Sequence, residues 1–424
     1  MNYISERSGG DPVSFIEAVL TGLAPDGGLY VPTKLPQHLV PYEMEYDQFI
    51  AQLLMPFVPS DLPLADWCER AFSFPVSIRP FGDHHGILEL FHGPSLSFKD
   101  FGARFLAQVM QHCPTEKPRL IMVATSGDTG SAVAAAFHQQ PNVQVVILYP
   151  KGKVSARQAH QLSCWGDNIT TLAVEGTFDD CQALVKQAFT APDIQARFHL
   201  TTANSINISR LLPQMGYYAY SSLQRYADMQ QPMNVIVPSG NLGNVTAAFW
   251  ARALGYPIGN IVIAQNANAS MVRYLDQGVY QPKASVETLA NAMDVGAPSN
   301  FARLQKLYPT FTDFSQQVQA FDVSDVQIQQ AIVSAYQTHG LRLCPHTATA
   351  YHVWQHHVDN TQPWLLAATA DPAKFESIVE PLLGVELPLS KTFQAQLARP
   401  AVAQTVAVDL DAIIRAAMPN AEMG

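Results

Sequence analysis

Charge is scarce in this chain. Only 14% of its 424 residues are Asp, Glu, Lys or Arg, against roughly a quarter in an ordinary soluble domain, so much of the surface must be neutral or covered by a neighbour. A homodimer with a buried interface would account for that. The 25 Lys and Arg residues are outnumbered by 35 Asp and Glu, for a net charge of -10, and they form no run, which argues against nucleic acid and anionic membrane as partners. Any anionic ligand must be gripped locally. Long apolar runs are missing too: none approaches the roughly 18 residues of a membrane span, and the opening Met1-Asn2-Tyr3-Ile4-Ser5-Glu6-Arg7 lacks the basic-then-apolar pattern of an export signal. The five cysteines (Cys68, Cys113, Cys164, Cys181, Cys344) include no C-x-x-C pair. That argues against a disulfide framework or zinc module and fits a reducing cytoplasm. The histidines contain no H-E-x-x-H, and the adjacent pairs His84-His85 and His356-His357 cannot share a helix face, so no metal is assigned.

What is present is an α/β pattern. The first 85 residues, punctuated by Pro25, Pro32, Pro36, Pro41, Pro56, Pro59, Pro63, Pro75 and Pro80 between short amphipathic pieces such as Phe15 to Leu23 and Phe49 to Leu54, read as an N-terminal domain. From residue 86 to 424, apolar runs alternate with helical periodicity. The runs Arg119 to Ala124, Val143 to Tyr149, Ile169 to Val174, Asn234 to Val237, Ile261 to Ala264 and Leu365 to Thr369 read as buried strands. Thr129 to Phe137, Ala156 to Leu162, Phe178 to Phe189, Val245 to Leu254 and Val326 to Tyr336 read as helices. Such alternation predicts mostly parallel sheets with crossover helices, and ligands at the carboxyl ends of the strands. The aromatic and Met residues along Phe105 to Met110 and Tyr217 to Tyr226 read as core.

Two strand-to-helix turns are rich in glycine and hydroxyl groups: Thr125-Ser126-Gly127-Asp128-Thr129-Gly130-Ser131 and Pro238-Ser239-Gly240-Asn241-Leu242-Gly243-Asn244. Glycine lets the backbone approach a phosphate or carboxylate, and first-turn N–H groups donate to it. Each alone reads equally well as an ordinary capped turn; two in one chain favour an anion cradle. Neither is a Walker A loop or a G-x-G-x-x-G loop, and Ser126 is not in a G-x-S-x-G elbow. Lys99 sits between Phe98 and Phe101 after the strand-like Ile87 to Phe91. Desolvated there, its amine would lose basicity and could form a Schiff base, although a lysine snorkelling from a helix start is the plainer reading of one residue. Asn204-Ser205-Ile206-Asn207-Ile208-Ser209-Arg210 crowds amide, hydroxyl and guanidinium donors together, suited to a phosphate or simply to a capped helix with a surface Arg.

Taken together, these blocks resemble the fold type II family of pyridoxal-phosphate enzymes and, within it, the threonine synthases. The resemblance runs over nearly the whole chain. It is carried by Asp26-Gly27-Gly28-Leu29-Tyr30-Val31-Pro32, Phe91-His92-Gly93-Pro94 with Ser97-Phe98-Lys99-Asp100-Phe101, Ala124 to Gly130, Asn204-Ser205-Ile206-Asn207 with Arg210, and Pro238 to Asn241. Asn291-Ala292-Met293-Asp294-Val295, Pro345-His346-Thr347-Ala348 and Ala370-Asp371-Pro372-Ala373-Lys374-Phe375 complete it. It implies two lobes of twisted, mostly parallel sheets flanked by helices, the smaller inserted at about residues 110–220, and pyridoxal 5'-phosphate as cofactor. It also implies Lys99 as the Schiff-base lysine and proton shuttle, Ser239, Gly240, Asn241, Leu242, Gly243 and Asn244 around the cofactor phosphate, and Thr369 facing the pyridine nitrogen. Ser126 and Thr129 would hold the substrate carboxylate, Asn204 and Arg210 its phosphate. The implied activity converts O-phospho-L-homoserine and water to L-threonine and phosphate. The alternatives are a phospho-lyase, a hydroxyamino-acid dehydratase, or a non-catalytic sensor on the same fold. Leu242 and Asn244 depart from the Phe and Asp usual in the family, and Asn244 removes a negative charge near the cofactor.

Overall fold

The apolar runs form two parallel sheets in the computed structural model, which describes residues 1–417. In the smaller sheet the strand order is Gln404–Val406, Ile169–Val174, Val143–Pro150, Arg119–Ala124, His199–Thr201, all parallel. The larger sheet runs Gln319–Val323, Ile258–Asn266, Met233–Pro238, Trp364–Ala368, His85–Glu89 in parallel, with Ser77–Phe81 antiparallel at its edge. The central strands are buried on both faces, which explains why they read as continuous Val, Ile and Leu runs rather than alternating ones. The last of these strands stops at Ala368, so Thr369 lies just past its end.

Crossover helices cover both sheets. Asp128–Phe137, Ala156–Ser163 and Phe178–Thr190 belong to the smaller lobe, Gly243–Ala253, Asp325–His339 and Pro345–His356 to the larger. Their starts follow local chemistry: Ser155 with Gln158, Thr177 with Asp180 and Ser324 with Gln327 form reciprocal capping boxes. One apolar cluster joins the N-terminal helices Tyr46–Leu54 and Leu64–Ala71 to the Lys99–His112 helix, with Phe72 stacked on Phe101 at a ring separation of 6.0 Å. The N-terminal strands Gly9–Val13, Tyr3–Ser5 and Tyr30–Pro32 form a small antiparallel sheet. Phe105, Met110, Tyr217 and Tyr218 are core as expected, but Tyr226 is 41% exposed. Eight residues at 100° each leave it about 80° around the Gln214–Met229 helix from Tyr218, off the buried stripe.

Candidate active site

The carboxyl ends of three parallel strands, His85–Glu89, Trp364–Ala368 and Arg119–Ala124, converge on Lys99. The loop leaving His85–Glu89 is stitched to the chain beyond Trp364–Ala368: Phe98 N–H donates to Thr369 O at 2.9 Å, Asp371 N–H donates to Leu96 O at 3.0 Å, and Ser97 bridges Ala370. Thr369 is thereby fixed beside the first residue of the Lys99–His112 helix. Gly93 is required in this loop, since a Cβ there would lie 2.4 Å from Asp100 Oδ2, the atom that accepts Ser95 N–H at 2.8 Å. Burial pushes the Asp100 carboxyl up to about 6.

The Lys99 side chain is 15% exposed, with Nζ 3.9 Å from Asp128 Oδ2 and 4.9 Å from the Phe98 ring centre. Burial pulls its amine down to about 8; Asp128 opposes that shift, while Lys374 and Arg210 add to it. Roughly a tenth of such amines are neutral at pH 7, where an ordinary lysine is almost wholly charged.

Asp128 belongs to the first hydroxyl-rich turn. Thr125 Oγ1 accepts the N–H groups of Gly127 and Gly130 at 3.0 and 2.9 Å and so folds the turn onto the Asp128–Phe137 helix. Gly127 has φ +130°, and a Cβ there would meet Gln158 Nε2 at 2.6 Å, so only glycine fits. Ser126 and Thr129 are half-buried on this turn, beside first-turn N–H groups that have no intrahelical acceptor. Asn291 Nδ2 reaches Ser126 O at 3.4 Å.

The second turn follows Met233–Pro238. Ser239 N–H pairs with Ala264 O, Leu242 adopts the left-handed conformation (φ 62°, ψ 6°), and the Gly243–Ala253 helix begins directly after it. A Cβ on Gly240 would lie 2.6 Å from Met293 Cα, so this glycine permits a close approach of two backbones. Asn244 spends its side chain inside the turn: Oδ1 accepts from Ser239 Oγ and Val245 N, and Nδ2 donates to Pro238 O at 2.8 Å. An ionised Asp could not make that last bond. Leu242 is fully buried, so it too offers a ligand only its backbone N–H.

The Asn204–Arg210 segment abuts this turn, where Asn241 Nδ2 donates to Ser205 Oγ at 2.6 Å. Arg210 is 2% exposed, donates Nη1 to Ala203 O, has no hydrogen-bond partner at Nε, and forms no ion pair among the described residues. Burial pulls it down to about 10. Asp100 opposes that shift from a distance, but no carboxylate pairs directly with the guanidinium, a place that an anionic ligand would take. Asn204 is half-buried, tied through its backbone to Thr202 Oγ1 and Asn207 N. Asn207 caps the short Ile208–Leu211 helix and donates to Val19 O at 2.8 Å.

Three further groups carried no assigned role in the sequence reading. Lys374, fully buried, lies 2.7 Å from Asp128. His346 Nε2 accepts Ala292 N–H at 3.1 Å, leaving the proton on a buried, unpartnered Nδ1; burial pushes its basicity down to about 4, so the ring is neutral at pH 7. Arg303 donates to Tyr30 O, Ile206 O and Asn300 Oδ1. The signal available for them was a charged or imidazole group inside apolar sequence, as in Pro372-Ala373-Lys374-Phe375 and Leu343-Cys344-Pro345-His346.

An aldehyde cofactor carrying a phosphate fits these residues: a buried amine of low basicity, a glycine turn at a helix start, and a hydroxyl at Thr369. A family profile for "Pyridoxal-phosphate dependent enzyme" matches residues 85–366, and one for "Threonine synthase N terminus" matches residues 2–72. The threonine synthase of Serratia marcescens is 40% identical over 406 residues, covering 93% of this chain and 94% of its own. The chain belongs to the threonine synthase family. The crystal structure of the Escherichia coli threonine synthase superposes with a TM-score of 0.90 at 38% identity, covering 99% of this chain and 100% of that one. A threonine synthase from Brucella melitensis with bound pyridoxal phosphate gives 0.91 at 29% identity, with both chains fully covered. This threonine synthase family member is therefore a pyridoxal-phosphate-dependent lyase of the two-lobed α/β fold. Within the described residues, no helix is long and apolar enough to cross a membrane.

Proposed function

We propose that the site converts O-phospho-L-homoserine and water to L-threonine and phosphate, with Lys99 as both the cofactor-anchoring and the proton-transferring amine. The observation that carries the reading is a buried guanidinium without a direct ion-pair partner among the described residues, Arg210, which acts on a largely buried lysine of lowered basicity. Three anions must be held, one carboxylate and two phosphates, and the chain offers three polar segments for them. The Ser239–Asn244 turn supplies backbone donors for the cofactor phosphate. Ser126, Thr129 and the first turn of the Asp128–Phe137 helix supply donors for the substrate carboxylate. Asn204 and Arg210 take the γ-phosphate, and Arg210 stabilises the charge that grows on it as it leaves.

Pyridoxal phosphate, when bound, supplies an electron-accepting ring next to Cα. Thr369 would face the ring nitrogen and would offer it a hydroxyl rather than a carboxylate, a partner that does not hold a proton there. Lys99 removes the proton from Cα and then one from Cβ, and the γ C–O bond breaks as phosphate departs. Cγ then gains a proton in place of the phosphate, water adds its hydroxyl to Cβ, and Lys99 returns a proton to Cα. Of the two protons taken from carbon and the one left by water, two thus end on Cγ and Cα and the third on the released phosphate. Asp128, 3.9 Å from Lys99 Nζ, stabilises the ammonium form between transfers.

The test is product analysis of the cofactor-loaded protein supplied with O-phospho-L-homoserine. Threonine and phosphate in equal amounts, both lost in Lys99→Ala, is the expected result. Phosphate with 2-oxobutanoate would instead mark a phospho-lyase. No turnover, with the cofactor bound, would mark a different substrate or a sensor. Arg210 speaks against a plain hydroxyamino-acid dehydratase, whose substrate brings no second phosphate.

A further inference from the structure

A fully buried lysine, Lys374, and a largely buried one, Lys99, share one buried carboxylate. Asp128 Oδ1 lies 2.7 Å from Lys374 Nζ, its Oδ2 lies 3.9 Å from Lys99 Nζ, and Gln158 Nε2 approaches Oδ1 at 3.4 Å. Lys374 also donates to Ser95 O at 2.7 Å. Its ammonium is thus where three chain segments meet: the loop leading into Lys99, the start of the Asp128–Phe137 helix, and the tight turn Pro372–Phe375. That turn is itself held from the smaller lobe, by Ser155 Oγ donating to Lys374 O at 2.7 Å and Arg157 Nη1 donating to Ala373 O at 3.0 Å. Burying an ammonium costs several kcal/mol unless it is paired. Both of Lys374's partners are elements that carry the reacting groups.

We propose that Lys374 is a positioning residue for the reaction: by bridging Asp128 and Ser95 O it fixes the Asp128 carboxylate beside Lys99 and so sets how readily Lys99 takes up and gives back a proton. This rests on the reading of Lys99 as the proton-transferring amine. Besides burial, the groups acting on Lys99 are Asp128, Lys374, Arg210 and Cys344, and those acting on Asp128 are Lys374, Lys99 and His346. Although burial disfavours the Asp128 carboxylate, Lys374 foremost and then Lys99 hold its carboxyl far below the usual range. Lys374 lowers the basicity of Lys99 directly. Removing its charge therefore lets Lys99 keep its proton to higher pH, leaving less of the base at neutrality.

The test uses the holoenzyme of Lys374→Met and of Lys374→Gln, the second retaining a donor for Ser95 O without the charge. The pH titration of the bound cofactor's visible absorbance is read without substrate, and kcat and KM are read across pH. The expected result is an absorbance midpoint and an acid limb of kcat both raised by about one unit, with kcat near pH 7 lowered about tenfold and KM changed less than about threefold. Lys374→Arg restores most of the loss. In an Asp128→Asn background the same replacements have a smaller effect, because the part that passes through that carboxylate is gone and only the direct action of the lost charge on Lys99 remains. Unmoved midpoints and an unmoved acid limb in Lys374→Gln, or an effect of full size in the Asp128→Asn background, would overturn the proposal. A wild-type enzyme that makes no threonine would fail the substrate reading instead, while the absorbance midpoint still decides on Lys374.

Discussion

At the scale of single residues, the site rests on charges that the fold has stripped of water. Arg210 is the sharpest case. Arg210→Ala removes a charge-assisted contact of about 1.5–3 kcal/mol, so KM for O-phospho-L-homoserine should rise about tenfold to a hundredfold while the cofactor absorbance is retained. An unchanged KM would take Arg210 out of the substrate site. Lys99 gives a pH prediction. Condensation with an aldehyde needs the neutral amine, and burial sets that group at about 8. The rate at which apoprotein takes up pyridoxal phosphate should therefore climb with pH up to about 8 and then flatten, as followed by visible absorbance. Lys99 and Arg210 stood out in the sequence because their neighbours were aromatic or polar in a recognisable order. Lys374 and Asp128 were in plain view inside the same blocks, but their partnership is a contact between distant segments, and nothing in local order announces it. Asn244 was the reverse case, a visible departure whose meaning came only from geometry. It braces the turn through Pro238 O, a bond that needs an amide.

At the scale of elements, long buried strands were legible and short edge strands were not. Arg119–Ala124 and Ile169–Val174 run as their apolar composition indicates. His199–Thr201, Gln319–Val323 and Gln404–Val406 have three to five residues each and are partly exposed, so no apolar run marks them. Helix starts were legible to within a residue or two, because capping is local chemistry. Leu242 shows where two local preferences collide. A left-handed leucine costs about 1–2 kcal/mol, yet its side chain is fully buried, and truncating a buried leucine costs about 2–5 kcal/mol. Burial wins, so Leu242→Gly should relieve the backbone and still lower the thermal midpoint. A raised midpoint would show that strain dominates at this turn.

At the scale of the whole molecule, the N-terminal region is bound into the site through Arg303. This fully buried guanidinium donates twice to Tyr30 O, at 3.1 and 2.8 Å, and once each to Ile206 O and Asn300 Oδ1, at 2.8 and 2.7 Å. Asn300 continues the chain of contacts to Asn241 O at 3.0 Å. Arg303→Lys keeps the charge but cannot span these acceptors. It should cost about 2–4 kcal/mol by stranding at least two of them, read as a lower urea midpoint. Because Ile206 lies in the Asn204–Arg210 segment, KM for the phosphorylated substrate should rise with it. Equal stability for the variant would mean that solvent or a shifted backbone satisfies those groups. The smaller sheet poses a question of timing. Its strand Ile169–Val174 is covered on one side only by Gln404–Val406, added from far along the chain. A ribosome releases the rest of that sheet well before residues 404–406 emerge, so a nascent chain carries a bare β-edge through about half of its synthesis. During that interval, exposed backbone donors and acceptors could pair with a second nascent chain.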